Sequence, residues 1–87
     1  MPEKGPVCLI TGLGDGTGGA CARRFAAGGY RIAMLARTKE RLDRFEAELE
    51  GSRGYRCNVM DLDHLTETAE RVAVEMGAPE VVIHNAA

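Results

Sequence analysis

Four short apolar runs alternate with three longer amphipathic stretches along this chain, and their periods differ. Val7–Thr11, Arg31–Ala36 and residues 55–59 and 80–84 are short runs rich in Val, Ile, Leu, Met and Tyr, bounded by Gly, Pro or polar clusters. Short apolar runs between turn signals predict strands buried on both faces, as in a parallel sheet. Between the first two runs, residues 18–27 predict a helix that stops at Gly28-Gly29, with Ala22, Phe25 and Ala26 on its inward face. A second helix is predicted from Thr38, as N-cap, to Glu50, with Leu42, Phe45 and Leu49 on one stripe. A third runs from Asp61 to Met76 and is stopped by Gly77 and Pro79. Its apolar positions Leu62, Leu65, Ala69, Val72 and Met76 recur at spacings of 3, 4, 3 and 4.

The predicted order is therefore β-α-β-α-β-α-β. Each helix is long enough to cross between parallel strands, and crossovers of this kind are right-handed. The expected fold is α/β: half of a three-layer, doubly wound Rossmann-type domain, with four parallel strands in the order 3-2-1-4 and three crossover helices. No linker or internal repeat divides residues 1–87, so they are read as one dinucleotide-binding part of a single domain. The fourth run ends close to Ala87 and leaves Val81, Val82 and Ile83 on an uncovered sheet edge. Two expectations follow: the natural domain continues past Ala87, or copies associate as a homo-oligomer to cover that surface.

Composition changes the picture little. Apolar residues are 45% and charged residues 28% of the 87, which excludes a disordered chain. A net charge of −2 gives no reason to expect nucleic acid as a partner. No apolar stretch has the length of a membrane span, and the first residues lack an apolar signal core. Cys8, Cys21 and Cys57 are scattered without a Cys-x-x-Cys pair, which suggests reduced thiols and a cytoplasmic location. His64 and His84 with no clustered cysteine give no metal site. Charge is uneven, however. Residues 23–44 hold seven basic and two acidic side chains, and residues 45–87 hold three basic and nine acidic ones. Most of these are read as solvated helix faces, with Arg37 set apart as a candidate for a phosphate.

The candidate chemistry lies in Thr11-Gly12-Leu13-Gly14-Asp15-Gly16-Thr17-Gly18, between the first strand and the first helix. Residues 14–19 fit G-x-G-x-x-G, a weak signal alone. Starting at Thr11, the same stretch fits T-G-x-x-x-G-x-G, which puts the turn directly after the strand and is preferred. Glycines lack Cβ atoms, so a ligand can approach the backbone closely. The helix mouth behind them offers unpaired N–H groups and the positive end of a dipole to an anion.

With this segment the chain resembles the short-chain dehydrogenase/reductase family over its whole length. The resemblance implies that Gly12, Gly14, Asp15, Gly16, Thr17 and Gly18 form the loop that seats a dinucleotide's diphosphate. It implies that the end of the second strand reads the adenosine ribose. The position often acidic in NAD users looks like Ala36, and Arg37-Thr38 follow, so NADP is expected in preference to NAD. Arg37 can offer a planar, permanently charged fork to a 2′-phosphate. Asp15 opposes that preference unless it orients the loop through its own backbone. Asn58-Val59 looks like the family's Asp-Val and implies an adenine contact. His84-Asn85-Ala86-Ala87 looks like Asn-Asn-Ala-Gly, matching at Asn85 and Ala86 and departing at His84 and Ala87.

The family's catalytic group, a serine, a Tyr-x-x-x-Lys pair and a further asparagine, has no counterpart here. Tyr30 is followed four residues on by Met34 and Tyr55 by Val59, and both tyrosines read as packing residues. The resemblance therefore implies the cofactor-binding segment of an enzyme that moves a hydride between NADP(H) and a carbonyl or alcohol. The small-molecule substrate would be met only by the complete protein, and the 87 residues alone are expected to be inactive. The alternative is a stand-alone, non-catalytic nucleotide-binding or interaction module.

Overall fold

The computed structural model describes residues 5–12 and 16–84, apart from the side chain of Thr17. The element order is β1 (Val7–Thr11), α1 (Thr17–Ala27), β2 (Arg31–Ala36), α2 (Lys39–Glu48), β3 (Arg53–Arg56), α3 (Leu62–Glu75) and β4 (Pro79–His84). The four strands form one parallel sheet in the order β3-β2-β1-β4. That is the fold and the strand order the hydrophobic pattern predicts.

Alternation along the strands builds two cores on opposite faces of the sheet. Cys8, Ile10, Ile32, Met34 and Ala36 face α1 and α2, where they meet Ala22, Leu42, Phe45 and Leu49. Val7, Leu9, Ala33, Leu35 and Tyr55 face the other way and meet Val72 and Met76 of α3. Phe45 is fully buried, and so are Ile10, Ile32, Met34 and Leu35. Each such side chain contributes roughly 1.5–3 kcal/mol over its exposed state. β4 is less covered: Val81 and Ile83 pack partly against the first core, while Val82 remains 64% exposed.

Several boundaries and one stripe differ from the sequence expectation, and the largest shifts are at β3 and the end of α2. β3 spans Arg53–Arg56 rather than 55–59. Its first half reads as polar because Gly54 lies under Leu42 of α2, where no apolar side chain fits. Its expected second half turns away from the sheet, since Asn58 Oδ1 accepts from the N–H of Met60 and the Asn58 carbonyl accepts from that of Asp61. α2 ends at Glu48, two residues early, as Leu49 becomes extended and Gly51 takes a φ of 82°. Thr38 holds the N-cap position of α2, but among the described residues its hydroxyl makes no capping bond. Leu62 belongs to the expected inward stripe of α3 yet is 74% exposed, and Thr68 is buried instead. Asp61 caps α3 as expected, its Oδ1 accepting from the N–H of His64 at 3.1 Å.

Candidate functional site

All four strands are parallel, so their carboxyl ends gather on one rim. β1 leads onward to β2 on one side, and β4 flanks it on the other, so the strand order reverses at β1. A crevice at such a reversal is where open α/β sheets bind ligands. Gly12, directly after β1, has a φ of 70°, a left-handed conformation that favours glycine. Gly16 is the N-cap of α1 and supplies no side-chain cap. A Cβ added to Gly16 would meet nothing within 4 Å among the described residues. The first turn of α1 carries no acid, and Gly18 is buried behind it. A helix start that no side chain caps among the described residues suits an anion. Gly14 and Asp15 lie outside the described residues, as do Asn85 and Ala86.

Thr11 and His84 end β1 and β4 on this rim. They are register partners on β1 and β4, and Thr11 Oγ1 shares a 2.7 Å hydrogen bond with His84 Nδ1. Thr11 is buried and His84 exposed. Sequence reasoning placed both at strand ends but did not pair them. Their separation of 73 residues is bridged only once the β1–β4 register is known.

At the next strand, Arg37 and Thr38 follow β2, both exposed, at the start of α2. No acidic side chain pairs with Arg37 among the described residues. The neighbouring cation Lys39 is occupied, with Nζ 2.8 Å from Asp43, a bond that holds its ammonium above the usual lysine range. Arg23 is likewise joined to Glu48 at 2.6 Å. The expected solvated helix faces account for these two, and Arg37 stands apart from them. Beyond β3, Cys57 donates its N–H to the Ala36 carbonyl, which brings Asn58 to the same rim. Asn58 is exposed, and Val59 is half-buried against the α3-side core.

Neither tyrosine reaches this rim as a free acid–base group. Tyr30 packs edge-on against Phe25, with ring centroids 5.1 Å apart. Tyr55 is buried and donates its hydroxyl to Glu75 Oε1 at 2.8 Å, and burial chiefly pushes its pKa to about 12. The thiol of Cys8 is pushed to about 11 by burial and by Cys21. The three cysteines are free thiols, with Cys8 and Cys57 buried. No helix among the described residues is long and apolar enough to cross a membrane.

The sequence profile of the family described as short chain dehydrogenase matches residues 6–87. The chain belongs to the short-chain dehydrogenase/reductase family. An uncharacterized oxidoreductase of Mycobacterium tuberculosis (strain ATCC 25618 / H37Rv) is 33% identical over 90 residues, covering 95% of this chain and 26% of the relative. A short chain dehydrogenase from Bacillus anthracis superposes with a TM-score of 0.88 at 31% identity, over 98% of this chain and 36% of that one. The L-sorbose reductase of Gluconobacter frateurii, solved with NADPH and L-sorbose, gives 0.87 at 27% identity over 95% and 34%. The short-chain dehydrogenase sequence given by these 87 residues thus spans about a third or less of the length of the proteins it matches. It carries the parallel sheet shared with those structures.

Proposed function

We propose that these residues hold the adenosine diphosphate portion of NADP(H) for an oxidoreductase that interconverts a carbonyl and an alcohol. Family membership supports a nicotinamide cofactor, which supplies the hydride when bound. The observation that carries the preference for NADP is Arg37: an exposed guanidinium with no acidic partner among the described residues, one position beyond β2. In this reading Gly12, Gly14, Asp15, Gly16, Thr17 and Gly18 form the diphosphate cradle. The left-handed turn at Gly12 and the uncapped mouth of α1 fit that use. Arg37 and Thr38 take the 2′-phosphate, Asn58 and Val59 border the adenine, and Asn85 and Ala86 follow β4 toward the nicotinamide ribose. The relative solved with NADPH supports the same choice of cofactor.

The test is a titration of the chain with NADP+ and NAD+. The unaltered chain is expected to prefer NADP+, and Arg37→Asp is expected to reverse the order. Loss of a charge-assisted contact corresponds to about 1.5–3 kcal/mol, or roughly 10- to 150-fold in NADP+ affinity. Unchanged selectivity in Arg37→Asp would remove Arg37 from the site.

A further inference from the structure

We propose that Arg56 is a second selector for the 2′-phosphorylated cofactor, working beside Arg37. The proposal rests on the reading above, in which this corner takes a 2′-phosphate.

Arg56 is the last residue of β3 and is the register partner of Ala36 at the end of β2. Alternation puts it on the same face as Gly54, the face on which Leu42 of α2 packs. Its Nε donates to the Arg37 carbonyl at 3.2 Å, so the guanidinium lies across the backbone that carries Arg37. That bond uses one of five N–H donors. Among the described residues, neither Arg37 nor Arg56 has a carboxylate within 4.0 Å of its side chain.

The contrast with neighbouring cations makes this pair informative. Lys39 pairs with Asp43 and Arg23 with Glu48, as surface cations commonly do. Arg56, by comparison, is anchored to the backbone of another arginine. That bond places the Arg56 guanidinium beside the backbone of a residue that also carries a cation, and an anion bound at this corner could accept from both. A phosphate monoester carries about −1.5 to −2 charge near neutrality and can accept from two guanidinium forks. The chemistry selected is a phosphate on the ribose, rather than the diphosphate seated at α1.

The test measures affinities of the 87-residue chain for NADP+ and NAD+ in four forms: unaltered, Arg37→Ala, Arg56→Gln and Arg56→Lys. Glutamine keeps an N–H donor for the Arg37 carbonyl but removes the charge; lysine keeps the charge. Circular dichroism melting confirms that each variant is folded. The expected result is about a fivefold or greater fall in NADP+ affinity for Arg56→Gln, with NAD+ affinity within about twofold and most of the preference retained by Arg56→Lys. Equal losses for both cofactors, or retention by glutamine with loss by lysine, would make Arg56 a brace for the turn and overturn the proposal. If the unaltered chain does not prefer NADP+, or binds neither cofactor, the underlying reading fails and this proposal with it. If the preference exists and Arg37→Ala removes it while Arg56→Gln does not, the Arg56 proposal alone fails.

Discussion

A methyl group added at Gly54 would lie 2.8 Å from Leu42 Cβ and 3.2 Å from Leu42 Cδ2, inside normal carbon contact. The Gly54 N–H also donates to Glu46 Oε2 at 2.6 Å, so the strand is held against α2 at that point. Gly54→Ala is expected to lower stability by roughly 1–3 kcal/mol through overpacking, read as a lower urea midpoint with unchanged m-value. A side chain's absence of this kind was not legible in the sequence. Arg53-Gly54-Tyr55-Arg56 carries no apolar alternation, because the packing surface there is bare backbone. The Arg56 bond to the Arg37 carbonyl was equally hidden, since it depends on the β2–β3 register. Asp61 was legible for the opposite reason: a cap acts within three residues, and His64 is three residues on. Gly14, Asp15, Asn85 and Ala86 lie outside the described residues and stay as expectations from family resemblance.

Among the elements, α3 is fastened to β3 by a cluster around one carboxylate. Glu75 accepts from the Tyr55 hydroxyl and lies 3.8 Å from Arg53 and 3.7 Å from Arg71, whose guanidinium stands 5.3 Å over the Tyr55 ring. The Tyr55 bond, aided by the two arginines, holds the Glu75 carboxyl below its ordinary 4.5. A depressed carboxyl pKa stabilises the fold above the unfolded value, and that stabilisation is lost as pH falls through the folded value. Tyr55 runs the other way. Burial first, then Glu75, raises its pKa from 10.0 to about 12, so its contribution is complete below pH 10 and lost as pH rises toward 12. Melting temperature measured against pH should therefore fall at both extremes. Tyr55→Phe should flatten the alkaline fall and shrink the acidic one; an unchanged profile would show that the cluster does not couple to folding. Element positions themselves were largely legible, since β1 and β2 match their apolar runs residue for residue. The exposed Leu62 was not, because a helical period gives a face but not which of its residues find a partner on the sheet.

For the whole molecule, the doubly wound arrangement expected for alternating strands and helices has the observed strand order, and the two cores follow from strand alternation. Chemistry was legible only as far as the cofactor. Neither tyrosine in the 87 residues is followed four positions later by lysine, and the Tyr55 hydroxyl is engaged by Glu75. The chain is accordingly expected to bind NADPH without turning over a carbonyl substrate. Loss of NADPH absorbance over time, in the presence of a simple ketone, checks this; sustained consumption would contradict it. Away from the glycine turn, at the amino ends of the strands, Arg31 gathers loose ends: its Nε donates to the Gly5 carbonyl at 3.0 Å and its Nη2 to that of Met76 at 2.6 Å. Its own N–H donates to the Pro6 carbonyl at 2.8 Å. Residue 5 is thereby pinned at the pole opposite the crevice. A sensor surface coupled there would turn the carboxyl-end rim of the sheet, where the cofactor is proposed to bind, toward the flowing solution, which makes immobilised chains a practical format for comparing the two cofactors.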